Sequence, residues 1–440
     1  MITISKFSKD NERYQALLDR EQEIPAKIME TVDLILADVK ENGDYAVKKY
    51  MKQIDNANLD EIGWKVTKEE FEEAKNNIDP ELAKAIREAC DNIYAYHKNQ
   101  LPKEYTQNYD WGTQLTRKYV PLSRIAVTVP GNISALVSTL YMSVIPAKVA
   151  GVPDINIMTK PKNGKIDANL LYAADYLGVN NVYKICGVQG IAAFAYGTEI
   201  IERVDAIVGP GNNYTQMAKK RLFGTVRIDS IAGPSEIVII ADQTANPRFV
   251  AADLLSQAEH GTGFEASTAL VFSEEQALAI QSELETLVAE NNLTIVQKAL
   301  NAYGNIFIVS SMQEAIDIAN NIAPEHVELM TQNPETIADK ITKAGTIFIG
   351  SYSPEPVGDY YCGTNHILPT CGTARFSSGL SVNDFMRGYS VINYAKESLH
   401  RNSTSIERLA TSEHMTAHAL SIRVRSDYTK QTLPQHTLKK

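Results

Sequence analysis

The chain has 440 residues, of which 44% are hydrophobic and 22% are charged, and its formal net charge is −10. This length allows two or more domains with separate cores, and the composition is typical of a globular protein. The acidic balance argues against a nucleic-acid-binding protein, because phosphate contacts need clustered lysine and arginine side chains.

The segment from residue 24 to residue 100 is predicted to be helical. Apolar side chains recur there at helical spacing, in one run at Ile28, Val32, Ile35, Leu36 and Val39 and in another at Leu82, Ile86, Cys90 and Ile93. The first part of the chain is therefore expected to be a helical region.

From residue 124 onward, short β-branched runs alternate with longer helical patterns in two series. In the first series, strands are predicted at 124–129, 154–158, 181–185 and 206–208, and helices at 134–150, 168–177 and 191–196. In the second, strands are predicted at 235–240, 267–272, 306–309, 327–330 and 346–349, with one helix ending near 260 and another at 274–291. This alternation is typical of parallel sheets covered by helices on both faces. We therefore predict an α/β protein with two doubly wound lobes, whose strand ends face a shared cleft.

The last part of the chain departs from this rhythm. Residues 350–384 are rich in Gly, Pro, Ser and Thr and show no periodicity, and a loop of that length in a compact domain is commonly functional. We interpret it as an ordered site loop. The tail from 384 to about 425 is predicted to be helical and to end in a strand at 420–424.

Membrane and export signals are lacking in the sequence. No apolar run approaches the ~20 residues that span a bilayer, and the first residues do not have the pattern of a signal peptide. The four cysteines are scattered without a metal-type close pair, so we expect reduced thiols. These features predict a cytoplasmic protein with no membrane partner.

Several short polar fragments combine histidine with acids or amides. Such sets offer the nitrogen and oxygen ligands that suit zinc, together with groups for proton transfer. The fragments contain Gln257 with His260, Glu325 with His326, Asp359 with His366, and Glu413 with His418. Each one alone is also compatible with a surface polar pair or a helix cap.

The spacing of the last fragment leaves an ambiguity. His414 and His418 are four residues apart, which on a single helix is the spacing of a two-histidine metal pair. Glu413 and His418 are five apart and would align less well. Spacing alone therefore favours His414 with His418.

Two glycine turns follow predicted strands of the first series. They lie at 187–190 and 209–212, and glycine at such turns lets backbone N–H groups approach a phosphate at a helix N-terminus. A third glycine of the dinucleotide fingerprint is absent, so simple turn chemistry is an equal alternative. The basic run 219–221 is interpreted as a solvated helix face.

Taken together and in order, these fragments resemble the histidinol dehydrogenase family. The resemblance extends from about residue 28 to 425. It rests on the stretches 253–260, 209–212, 232–236, 324–326, 358–360 and 363–370, and on Glu413 followed by 416–418.

The resemblance implies a homodimer with shared active sites, two incomplete Rossmann-like lobes and a swapped C-terminal tail. It implies one zinc ion per site, bound by Gln257, His260, Asp359 and His418, with His418 donated by the partner subunit. Zinc in this family mainly holds the small-molecule substrate. The family pattern thus favours His418 over His414.

The implied reaction is the oxidation of L-histidinol to L-histidine by two NAD-dependent hydride transfers through an aldehyde. His326 would take the hydroxyl proton, and Glu325 would activate water for the second step with help from His326. Ser235, His366 and Glu413 would help to hold the substrate alongside the zinc ligands and His326. Gln189 and Asn212 match positions that contact NAD, as does Thr128, where the family usually has tyrosine.

The same resemblance implies the domain boundaries. We expect an N-terminal arm that packs with the tail, a first lobe for zinc and substrate, a second lobe for NAD, and a dimer-swapped tail. These comprise, respectively, residues 1–23, residues 24–123 with 236–383, residues 124–235, and residues 384–440.

Two further departures from the family pattern keep alternatives open. A glycine pair is replaced by Gly131-Asn132, and the segment 261–267 after His260 is longer than usual. A zinc- and NAD-dependent dehydrogenase of another small polar alcohol, such as a sulfopropanediol, is the second hypothesis. A catalytically inactive metal-binding homologue is the third, and the retention of Glu325, His326 and the four ligands disfavours it.

Overall fold

The computed structural model describes residues 2–20, 25–131 and 136–432. The predicted start of a helix at 134 and the departure at Asn132 lie outside these residues. The strands are β1 (Thr3–Lys6), β2 (Tyr105–Asn108), β3 (Gln114–Pro121), β4 (Arg124–Val129), β5 (Asp154–Thr159), β6 (Asn181–Tyr183), β7 (Ala206–Val208), β8 (Arg227–Ile228), β9 (Glu236–Ala241), β10 (Ala266–Val271), β11 (Gly304–Ile308), β12 (His326–Met330), β13 (Thr346–Ile349) and β14 (Met386–Asn393).

Helices account for most of the remaining described chain. They are α1 (Glu12–Leu18), α2 (Ala26–Asp55), α3 (Leu59–Ile62), α4 (Lys68–Asn77), α5 (Pro80–His97), α6 (Val137–Ala150), α7 (Ala168–Tyr176), α8 (Gly187–Tyr196), α9 (Asn213–Leu222), α10 (Pro247–Ala258), α11 (Glu274–Asn291), α12 (Gln297–Tyr303), α13 (Met312–Ile322), α14 (Glu335–Ala338), α15 (Glu355–Tyr360), α16 (Lys396–Ser412) and α17 (Thr416–Thr432). Short 3₁₀ turns occupy Lys98–Gln100, Asp110–Gly112, Thr373–Arg375 and Val382–Phe385. No helix in the described ranges is both long and apolar enough to span a membrane.

A five-stranded parallel sheet contains the strands predicted for the first series. Its order is β6-β5-β4-β7-β8, so the chain moves outward from β4 and then returns to the other side of β4 at β7. The strands β4 and β5 are buried along nearly their whole length, as expected for strands covered on both faces. The reversal between β4 and β7 is the position at which such sheets bind ligands, at the carboxyl ends of the strands.

A six-stranded parallel sheet contains the second series. Its order is β1-β11-β10-β9-β12-β13. Successive residues of β9 face opposite layers of the core: Ile237 and Ile239 pack in one cluster, and Val238 and Ile240 in the other. Both lobes therefore have the doubly wound α/β architecture that the sequence predicted.

The chain divides into two compact units, and the second is a small one. It comprises residues 102–121 and 386–440. It contains an antiparallel sheet in the order β14-β3-β2, and α16 packs against α17. The sequence analysis missed this sheet, because its strands are mostly exposed and do not alternate clearly between polar and apolar residues.

Two expectations about local structure are corrected. The strand predicted at 420–424 is part of α17, where an accidental alternation of apolar residues imitated a strand. The helix expected from residue 384 begins only at Lys396, after β14. The loop 350–384 is ordered, as predicted, and it contains α15 and a 3₁₀ turn at Thr373–Arg375.

The packing also groups some segments differently from the expected domains. Helix α2 shares a core with the five-stranded sheet, through residues such as Val32, Val39, Ala126 and Phe194, whereas residues 24–123 were assigned to the other lobe. Residues 3–6 of the N-terminal arm form the edge strand β1. Helical periodicity shows which face of a helix is buried, but not which sheet covers it.

Candidate active site

A cluster of buried polar side chains lies at the amino ends of strands in the six-stranded sheet. Glu236 is the first residue of β9, and His326 is the first residue of β12. Helix α10 ends beside them, which brings Gln257 to His326. Unlike the ligand positions of a typical doubly wound sheet, this cluster is at the amino rather than the carboxyl strand ends.

His326 is held as a neutral imidazole with one free nitrogen. Its Nδ1 lies 3.0 Å from Gln257 Oε1, and because this oxygen can only accept, Nδ1 carries the proton. Its Nε2 is buried and has no hydrogen-bond partner. Burial, followed by the charges of His260 and His366, lowers the pKa of His326 to about 3. The Nε2 lone pair is therefore available to accept a proton at neutral pH.

Glu325 is also buried, next to β9. Its Oε2 accepts a hydrogen bond of 3.2 Å from the Glu236 backbone N–H, and the Ser235 side chain bonds to it as well. Burial, followed by the negative charge of Glu236, raises the pKa of Glu325 to about 8. A carboxyl group with a pKa in this range can exchange protons near neutral pH.

A buried ion pair lies behind Glu325. Arg20 Nη1 is 2.7 Å from Glu236 Oε2, and the two side chains are only 5% and 2% exposed. Arg20 Nη2 also donates to the Phe264 carbonyl at 2.6 Å. The sequence analysis assigned no role to Arg20, because nothing in the local sequence links it to a strand more than 200 residues away.

The unusual segment 261–267 begins as a loop that contacts this ion pair through the Phe264 carbonyl and ends in the first residues of β10. The Glu265 carboxylate accepts from the backbone N–H groups of Thr262 and Gly263, both at 2.8 Å. Gly261 and Gly263 adopt positive φ angles of 82° and 79°, which glycine tolerates best. The segment is therefore an ordered support on the side of the site that carries Glu325.

His260 and His366 are each oriented by a backbone carbonyl. His260 Nδ1 donates to the Gln257 carbonyl at 3.1 Å, and His366 Nδ1 donates to the Asp359 carbonyl at 3.1 Å. In both rings Nε2 therefore carries the lone pair. Such a backbone bond commonly fixes the tautomer of a metal-binding histidine.

Asp359 lies on α15, close to His326. Its Oδ1 is 3.9 Å from His326 Nε2. Burial, followed by the nearby charge of Glu355, raises the pKa of Asp359 well above its usual value. Two carboxylates forced together in a buried place are stabilised by a cation.

Further acidic side chains contact the start of α15 or lie next to it. The Glu355 backbone N–H donates to Glu328 Oε1 at 2.7 Å, and Ser256 Oγ donates to Glu355 Oε2 at 3.0 Å. Asp253 and Glu328 share a hydrogen bond. The sequence analysis gave these residues no role, although Asp253 lies in a quoted motif, because their convergence depends on how α10, β12 and α15 pack.

The donors in the cluster fit a zinc ion. One nitrogen or oxygen atom each from His326, Glu355 and Asp359 lies within 4.8 Å of the others. Of these residues only Asp359 belongs to the predicted ligand set, and His326 is the predicted base. The Gln257 amide Nε2 is buried without a partner, and the Gln257 oxygen retains a second lone pair beside the bond to His326. Nitrogen and oxygen donors of this kind suit zinc.

Glu413, His414 and His418 belong to the second unit and are exposed. Glu413 caps the end of α16, and His418 lies in the first turn of α17. His414 lies in the turn between these helices with a φ of 61°. The two histidines thus do not share a helix, and the spacing argument for pairing His414 with His418 was wrong.

A cavity of about 400 Å³ lies at the carboxyl ends of the five-stranded sheet. It brings together the three predicted NAD contacts: Thr128 from β4, Gln189 from α8, and Asn212, which caps α9. A volume in this range is typical of small-molecule sites.

The glycine turn at 209–212 is held in place by a buried ion pair. Lys219 Nζ contacts Asp229 Oδ1 and donates to the Gly209 carbonyl at 2.8 Å, while the Gly209 N–H donates to Asp229 Oδ2 at 2.8 Å. Lys219 was predicted to lie on a solvated helix face but is 1% exposed, whereas Lys220 and Arg221 are exposed. The prediction for Lys219 was therefore wrong, and this lysine holds the glycine turn that lines the cavity.

Sequence and structure comparisons agree with one another. Residues 18–426 match the family model described as histidinol dehydrogenase. Histidinol dehydrogenases from Clostridium acetobutylicum and Bacillus subtilis are 44% and 46% identical to the chain, covering 96% and 90% of it and 98% and 92% of their own lengths. A crystal structure of histidinol dehydrogenase from Elizabethkingia anophelis matches with a TM-score of 0.91 at 34% identity, over 98% of this chain and 99% of that one.

Proposed function

The chain belongs to the histidinol dehydrogenase family, and from this premise we propose that it oxidises L-histidinol to L-histidine with two molecules of NAD and a bound zinc ion. The observation that carries the proposal is a buried proton acceptor, the unpartnered Nε2 of His326, on a ring whose Nδ1 lies 4.0 Å from the carboxyl group of Glu325. An oxidation in two steps needs one base for an alcohol and one for a hydrated aldehyde.

In the first oxidation, His326 Nε2 takes the proton from the oxygen of the substrate hydroxyl while hydride leaves the carbon that carries this hydroxyl. NAD, when bound, supplies the hydride acceptor at the carboxyl edge of the five-stranded sheet. The Gln257 carboxamide keeps the His326 ring in the tautomer that has its lone pair on Nε2. The base is thus prepared before the substrate arrives.

In the second oxidation, Glu325 takes a proton from water as the water adds to the aldehyde carbon. His326 assists by accepting the hydroxyl proton of the hydrate, and a second hydride leaves. Ser235 and the Glu236 backbone orient the Glu325 carboxylate for this step. The product is the carboxylate of L-histidine.

Zinc, when bound, supplies a positive charge that holds and orients the substrate. We propose that Gln257, His260, Asp359 and His418 bind it, with His418 coming from the partner subunit of a homodimer. Ser235, His366 and Glu413 hold the substrate, since an acidic Glu413 suits a substrate amine. Thr128, Gln189 and Asn212 contact NAD. We also propose that the enzyme is cytoplasmic.

The test of this function is the stoichiometry of NADH formation with L-histidinol by the zinc-loaded protein. Two molecules of NADH per molecule of substrate are expected. Absence of turnover with L-histidinol, together with turnover of a sulfopropanediol, would instead identify a dehydrogenase of another polar alcohol. Absence of NAD binding in calorimetry would support an inactive homologue.

Glu325→Gln is expected to separate the two oxidations. The amide cannot accept a proton from water, so aldehyde oxidation should fall by about a hundredfold or more, whereas alcohol oxidation should largely remain. In the wild type, the rate of aldehyde oxidation should rise as the pH approaches about 8, because burial raises the pKa of Glu325 to that value and the carboxylate is the active form. Stopped-flow measurements with each substrate would test both points, and equal losses in the two steps would contradict the assignment.

His418→Ala is expected to release zinc, and His414→Ala is the matched control that should retain it. Metal content measured by atomic emission distinguishes the two. Mixing inactive His418→Ala and His326→Ala subunits should restore part of the activity if each site uses His418 of the partner subunit. No restoration in verified mixed dimers would refute the shared site.

A further inference from the structure

An ion pair faces the cavity at the carboxyl edge of the five-stranded sheet. Asp55 is the last residue of α2, and Lys160 is the first residue after β5. Lys160 Nζ lies 3.0 Å from Asp55 Oδ1, with the lysine side chain 32% exposed and the aspartate 8% exposed. Both residues line the cavity that also contains Thr128, Gln189 and Asn212.

The aspartate is held from a second side. Gln189 Nε2 donates to Asp55 Oδ2 at 2.8 Å, and Gln189 itself is buried in α8. One carboxylate oxygen is thus engaged by a lysine and the other by an amide. Because Asp55 and its two partners come from three different parts of the fold, the carboxylate has a fixed position in the cavity wall.

Lys160 lies at a strand end where doubly wound folds distinguish NAD from NADP. In doubly wound dinucleotide folds, an acidic residue near the end of the second strand accepts a hydrogen bond from the 2′-hydroxyl of the adenosine ribose, and a basic residue nearby accommodates the 2′-phosphate of NADP. Along the chain, β4 is the first strand of this sheet and β5 is the second. A lysine here would favour NADP if it were unpaired.

We propose that the Asp55–Lys160 pair selects NAD over NADP. Lys160 stands at the end of β5, where an acidic residue would be expected, and Asp55 at the end of α2 provides that acidic side chain instead. Asp55 accepts a hydrogen bond from the ribose hydroxyl and keeps Lys160 neutralised. A 2′-phosphate would bring its negative charges against a buried carboxylate, and like charges placed together at a binding site disfavour binding. This inference rests on the proposed function in one respect, namely that NAD binds this cavity.

The test is the ratio of the dissociation constants of NADP and NAD, measured by isothermal titration calorimetry on the zinc-loaded protein. Asp55→Asn removes the negative charge with little change in shape and frees Lys160. We expect this ratio to fall by about tenfold or more, which corresponds to only part of the cost of a like-charge contact. Lys160→Met is the matched control and should gain no affinity for NADP.

Lys160→Glu provides a second variant at a less buried position, where misfolding is not expected. It should weaken NADP binding further while NAD still binds. An unchanged ratio in Asp55→Asn, with NAD binding and histidinol oxidation intact, would overturn the selection by this pair and leave the proposed function in place. If the wild type bound neither nucleotide, both this inference and the assignment of the NAD site would fall.

Discussion

His326→Ala is expected to abolish the oxidation of L-histidinol while leaving zinc bound. The substitution removes a buried imidazole whose Nε2 has no hydrogen-bond partner and whose Nδ1 lies 4.0 Å from Glu325 Oε2. A general base of this kind contributes about a hundredfold to ten-thousandfold to a rate, and kcat should fall by that factor. Zinc should stay because the four proposed ligands are other residues. Steady-state NADH formation and metal analysis of the same sample measure both effects.

His414→Ala is the control for this variant. It replaces a histidine that lies exposed in a turn, so both kcat and zinc content should remain at the wild-type level. Loss of zinc from His326→Ala would show that the separation between base and ligands is wrong. The contact between His326 and Gln257 makes this outcome the sharpest challenge to the assignment.

Arg20→Met is expected to cause a large loss of stability. It leaves Glu236 as an unpaired charge in a buried place, since the two side chains are 5% and 2% exposed. Breaking a buried pair by removing one partner costs about 3–5 kcal/mol. The loss should appear as a lower urea midpoint at an unchanged slope.

Two further variants separate the charge effect from the loss of packing. Arg20→Met combined with Glu236→Gln should recover part of the stability, because no buried charge remains uncompensated. Arg248→Met removes an arginine that pairs with Glu283 and Glu290 at the exposed surface, and its effect should be much smaller because exposed pairs are screened. Equal losses for Arg20→Met and Arg248→Met would contradict the importance of burial.

The sequence predicted most of the fold because its two parallel sheets have strong local signals. Their strands are short β-branched runs separated by helices, and each predicted strand of the two series is present. The antiparallel sheet of the second unit was missed for the opposite reason. Its strands β2, β3 and β14 are largely exposed, so burial imposes no alternation on them.

For the candidate site, the sequence determined which chemistry is available and the tertiary structure decided which atoms can perform it. Histidines, acids and an amide in ordered motifs were sufficient to predict a site for zinc and proton transfer. The tautomer of His326 depends on Gln257, 69 residues away, and the environment of Glu325 depends on Arg20 through Glu236. Spacing favoured His414 as the partner of His418 on one helix, but His414 lies in a turn with a positive φ. Local patterns record the preferences of neighbours along the chain, whereas burial, charge and pKa depend on neighbours in space, which only the packed structure brings together.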